Sequence, residues 1–77
     1  MEVKITLHGI LRDYLPRPAR GQTVLSLPEG ATVQDVIEQL RIKQNVSAAV
    51  GGVEVEQNHR LQEGEELHLF RLIAGGK

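Results

Sequence analysis

The chain has 77 residues, 40% hydrophobic and 25% charged, with nine basic against ten acidic residues and a formal net charge of -1. That composition makes one small domain with one core, excludes a disordered chain, and argues against gripping a nucleic-acid backbone, which takes a basic face. Cysteine is absent, which excludes a disulfide frame, a zinc–thiolate or iron–sulfur site and a thiol nucleophile; with Tyr14 and Phe70 the only aromatic residues, the core must be aliphatic.

Val3-Lys4-Ile5-Thr6-Leu7-His8 alternates apolar and polar residues at period two, the pattern of a half-buried strand, and Gly9 ends it. Ile10 to Leu15 reads as a short turn of helix stopped by Pro16 and Pro18. Gln22 to Leu27 is a second strand, opened by Gly21 and closed by Pro28-Glu29-Gly30, and it pairs antiparallel with the first. Thr32 then caps a helix over Val33 to Arg41, with Asp35 as a short version of the capping-box acid. Val33, Val36, Ile37 and Leu40 form its apolar stripe, while Gln34, Glu38, Gln39 and Arg41 face away.

After a polar stretch around Lys43 to Ser47 come two short strands, Ala48-Ala49-Val50 and Val53-Glu54-Val55, joined at Gly51-Gly52 as a hairpin. Asn58-His59-Arg60 reads as loop, Leu61 as a buried anchor, and Glu63-Gly64-Glu65 as a turn. The last strand spans Leu67 to Ile73, with Leu67 and Leu69 on one face and His68, Phe70 and Leu72 on the other. One helix covering one face of a single mixed sheet of four to five strands gives a two-layer α+β domain over residues 1–77. Phe70 and Leu72 then lie on the uncovered face, beside His68, either as a candidate docking patch or as isolated surface apolar residues.

The chain ends in Ala74-Gly75-Gly76-Lys77. Glycine loses the most freedom on ordering, so two of them at the end of a domain predict a flexible tail over 74–77 that can enter a partner's active site. No stretch approaches the length of a membrane span, and Met1-Glu2-Val3-Lys4 is not a signal peptide, so the expected location is cytoplasmic. His8, His59 and His68 are scattered in sequence without HxH or HxxxH spacing, and they read as surface or turn residues with no metal site. No Ser-His-Asp pattern or phosphate loop is present. Arg12, Asp13 and Tyr14 lie in the first connection, where Tyr14 and Leu15 close the edge of the core.

Leu67 to Leu72 followed by Gly75-Gly76 resembles the end of ubiquitin, in the β-grasp fold. Three further stretches resemble the small bacterial and archaeal sulfur carriers: Pro28 to Val36, Ala48 to Val55, and Leu61 to Leu67. These are the molybdopterin-synthase small subunit and the thiamine-pathway carrier (MoaD/ThiS-like). Gly51 stands where that family usually has asparagine.

The resemblance implies a carrier, not an enzyme. An E1-like adenylating enzyme would use ATP to activate the carboxylate of Gly76, with Gly75 giving clearance, and sulfur would replace AMP to give a thiocarboxylate. A biosynthetic enzyme would accept that sulfur, in molybdopterin, thiamine, amino-acid or tRNA synthesis. In some relatives the activated carboxyl is joined to a lysine of a target protein instead. No cofactor is bound in this scheme. His68, Phe70 and Leu72 would form the docking face. Lys77 departs from the pattern, because with it attached the Gly76 carbonyl is an amide and cannot be adenylated. It is removed by a processing metalloprotease, is a residue added for expression, or marks a β-grasp protein without carrier activity. The alternative function is a non-covalent ubiquitin-like interaction module that never activates its tail.

Overall fold

The computed structural model describes residues 1–15 and 21–71. In order come β1 (Glu2–Leu7), a 3₁₀ helix (Gly9–Tyr14), β2 (Gln22–Ser26), α1 (Val33–Gln39), β3 (Val46–Val50), β4 (Val53–Val55) and β5 (Glu66–Arg71). The five strands form one mixed sheet in the order β2-β1-β5-β3-β4, in which β1 and β5 run parallel at the centre and the other neighbours antiparallel. This is the α+β, β-grasp arrangement that the sequence implies.

Strand alternation and the helix stripe meet in one aliphatic core. Val3, Ile5 and Leu7 of β1, Leu67 and Leu69 of β5, and Val33, Val36 and Ile37 of α1 are all buried. Leu11 of the 3₁₀ helix, Leu27, Ile42, Val46, Ala48 and Leu61 complete the cluster, with Tyr14 and Leu15 packed against its edge. Each large side chain removed from water here is worth about 1.5–3 kcal/mol, which a chain without disulfides depends on.

The capping box is complete at both ends: the Asp35 amide donates to Thr32 Oγ1 at 3.3 Å, and the Thr32 amide donates to Asp35 Oδ2 at 2.9 Å. The helix stops at Gln39, two residues before the expected Arg41, because Arg41 takes a left-handed φ of 59°. The Arg41 amide then donates to Glu38 O and the Ile42 amide to Ile37 O, each at 3.1 Å. This pair of bonds is the Schellman ending, and it buries Ile42 beside Ile37.

Strand β3 begins at Val46, inside the stretch that reads as polar, because Val46 enters the core and pairs with Arg71. Gly51 and Gly52 both have positive φ, 62° and 82°, as a two-residue primed hairpin turn requires. The final strand is described only to Arg71, so the expected Leu72 and Ile73 lie outside the described residues. Among the described residues no helix is long and apolar enough to cross a membrane.

Candidate functional site

The sheet face opposite α1 carries the second set of alternating residues. Lys4 and Thr6 of β1, Glu66, His68 and Phe70 of β5, Ser47 and Ala49 of β3, and Glu54 of β4 share it by register. His8, the residue after β1, continues the alternation onto this face. Thr6 is 7% exposed, since it sits at the middle of the sheet between two strands.

Because β1 and β5 are parallel, with Thr6 opposite His68 and Leu7 opposite Leu69, His8 is brought beside Phe70. The His8 and Phe70 rings stack with centroids 4.4 Å apart and planes inclined by 9°. His8 Nε2 lies 2.9 Å from His68 Nδ1. His68 Nε2 lies 3.2 Å from Glu66 Oε2, and the same oxygen accepts a hydrogen bond from Thr6 Oγ1 at 3.3 Å. Phe70 remains 39% exposed at the outer end of this row. Beside it, Ser47, Ala48, Ala49, Gly52, Glu54, His68 and Phe70 line an open groove of about 440 Å³. The Ser47 hydroxyl donates to Glu54 Oε2 at 3.2 Å on the far wall.

Burial holds the His8 pKa below its usual value, helped by the neighbouring His68 and then by Arg12 of the 3₁₀ helix. Two of the three histidines, though scattered in sequence, thus meet in space. Residues 60 positions apart meet because a parallel crossover closes the centre of the sheet. His59 is elsewhere, in the loop before Leu61, with its Nε2 3.9 Å from Glu65 Oε1. Among the described residues no group of three histidine, aspartate or glutamate side chains is arranged to hold a metal.

His68 and Phe70 of the expected docking patch lie together on the open face. Leu72, Gly75, Gly76 and Lys77 lie outside the described residues. Sequence reasoning missed His8, Thr6 and Glu66 as members of this cluster. The period-two pattern from Lys4 through Thr6 to His8 carries the signal, but it becomes readable only with the β1–β5 register.

Residues 5–76 match the model of the ThiS family. The chain belongs to the ThiS family. This places it among the ubiquitin-like β-grasp sulfur carriers. Solved structures agree in fold. A Pyrococcus furiosus protein assigned provisionally as molybdopterin converting factor subunit 1 superposes with a TM-score of 0.76 at 23% identity, covering 95% of this chain and 99% of that one. SAMP1 of Haloferax volcanii gives 0.73 at 18% identity, covering 99% and 100%. A second structure, of the H. volcanii small archaeal modifier protein 1, gives 0.74 at 16% identity, covering 94% and 98%. At these identities the likeness shows the fold. No curated protein sequence matches this ThiS-family chain significantly.

Proposed function

We propose that this ThiS-family chain is a small sulfur carrier, able to serve also as a protein modifier, that works through the carboxyl of Gly76 once Lys77 has been removed. The observation that carries this reading is the extent of the family match. It runs through Gly75 and Gly76 and stops short of Lys77.

The chemistry follows from the carboxylate. It is a poor electrophile until an E1-like partner transfers AMP to it from ATP and releases pyrophosphate. Hydrosulfide then attacks the acyl carbon, the C–O bond to AMP breaks, and a thiocarboxylate remains for a sulfur-accepting biosynthetic enzyme. A target-protein lysine amine attacking the same carbon would give the modifier reaction. The chain itself is the cargo-bearing reactant rather than the catalyst. Gly75 and Gly76 lack the side chains that would obstruct a narrow channel to ATP, and a processing metalloprotease would expose Gly76. Phe70 and His68, joined by Leu72, are the proposed docking residues. An aromatic edge next to an open groove is the kind of surface where a partner's apolar side chain can be buried.

The test compares chains ending at Gly76 and at Lys77, each incubated with ATP, sulfide and the E1-like enzyme of the source genome. Intact mass should show exchange of one oxygen for one sulfur in the Gly76-ended chain alone. No change in that chain refutes the carrier reading. One observation favours a second reading: among the described residues, His8, His68 and Phe70 form a packed cluster beside an open groove. A non-covalent interaction module would retain partner binding after deletion of residues 75–77 and would show no mass change.

A further inference from the structure

The two imidazoles on the open face meet in a particular way. Their centroids are 5.1 Å apart while His8 Nε2 and His68 Nδ1 are 2.9 Å apart, a difference of about one ring diameter. With planes inclined by only 23°, the rings lie edge to edge, nitrogen facing nitrogen. That is the geometry of a shared hydrogen, not of a face-to-face stack.

We infer that His8 and His68 form a single proton-binding dyad, and that its second protonation separates the two rings and rearranges the sheet face beside Phe70. Glu66 sets the hydrogens. Its carboxylate oxygen, already accepting from Thr6 Oγ1, can only accept, so His68 Nε2 carries a hydrogen toward it. His68 Nδ1 is then the acceptor and His8 Nε2 the donor, which leaves the lone pair of His8 on Nδ1. These tautomers are assigned from the network.

A first proton arrives at His8 Nδ1. Its charge passes across the shared bond when the Nε2 hydrogen moves to His68 Nδ1, which places the imidazolium beside Glu66. The dyad stays closed and its bond becomes charge-assisted. A second proton leaves every ring nitrogen protonated. Two N–H groups then point into one 2.9 Å gap with no acceptor, so the bond breaks and the rings separate. His8 is the ring lying flat on Phe70, and His68 lines the groove with Phe70, so separation of the two imidazoles alters the surroundings of Phe70.

The charged groups around the dyad agree with this order of events. From β5, Glu66 Oε2 lies 3.2 Å from His68 Nε2. From β1, Lys4 stands opposite Glu66 in the register. From the 3₁₀ helix, Arg12 disfavours a positive charge on His8. Strand β3 contributes only Ser47 and Ala49 to this face, and Glu54 of β4 is engaged by Ser47. The strands themselves are central and paired on both sides, so the change is confined to side chains.

The experiment is an NMR pH titration of the full chain in buffer containing EDTA, following the histidine Cε1–H and Phe70 ring signals. His8 and His68 should each report the same two macroscopic steps, as coupled sites do. The Phe70 signals should move with the lower step. In His68→Gln, His8 should titrate in one step with a higher midpoint; in His8→Gln, the Phe70 signals should no longer follow any histidine step. Identical His8 midpoints in wild type and His68→Gln would overturn the inference. So would Phe70 signals that stay fixed while His8 titrates. The result does not depend on the tail, so it stands or falls separately from the carrier chemistry.

Discussion

Arg41→Gly should stabilise the domain, although it removes a side chain and adds none. Arg41 closes α1 with φ at 59°, the left-handed region that a Cβ atom makes costly. For a residue other than glycine that conformation costs roughly 1–2 kcal/mol. Glycine removes the cost and keeps both terminal hydrogen bonds, from the Arg41 amide to Glu38 O and from the Ile42 amide to Ile37 O. Against this, glycine widens the unfolded ensemble by roughly 0.5–1 kcal/mol. The net gain lies between about 0 and 1.5 kcal/mol and centres on about 0.75 kcal/mol, which for a domain of this size raises Tm by roughly 3–6 °C. Urea unfolding should show a higher midpoint with an unchanged m value. Arg41→Val, with a branched Cβ in the same conformation, should move the midpoint the other way. A glycine variant no more stable than the parent would show that Arg41 carries no strain at the end of α1.

Other perturbations separate the core from the open face. Leu69→Ala removes a fully buried side chain between β1 and β3 and should cost about 2–5 kcal/mol in urea unfolding. Phe70→Ala, one residue on but 39% exposed, should cost less, about 1–2 kcal/mol, while weakening partner docking measured by titration calorimetry. Thr32→Ala breaks the capping box and should cost about 1 kcal/mol by the same unfolding assay. His8 has a folded-state pKa below its ordinary 6.5, so between those two values the unfolded chain binds more protons. Stability should therefore be full above pH 6.5 and fall as pH drops toward the folded-state pKa. His8→Gln should flatten that slope in urea midpoints measured across the range.

The sequence carried the layout of the fold because its local signals agree with one another. Val3, Ile5 and Leu7 alternate, Thr32 and Asp35 mark a helix start, and Gly51-Gly52 fits only a tight hairpin; all three appear in the structure as read. What it concealed depended on contacts between distant segments. Val46 looks like the end of a polar loop until β5 pairs with it. Arg41 continues the helical pattern in sequence, yet it ends the helix because Ile42 is drawn into the core. His8 and His68 are unremarkable alone and become a bonded pair only through the parallel β1–β5 register. The candidate docking face was thus half legible: Phe70 and His68 follow from alternation within one strand, whereas His8, Thr6 and Glu66 require the crossover.

The central claim concerns the carboxyl at Gly76, and intact mass spectrometry of the chain tests it most directly. After incubation with ATP, sulfide and the E1-like enzyme of the source genome, the chain ending at Gly76 should gain the mass of one sulfur in place of one oxygen, and the chain ending at Lys77 should not. A Gly76-ended chain that emerges unchanged would contradict the account.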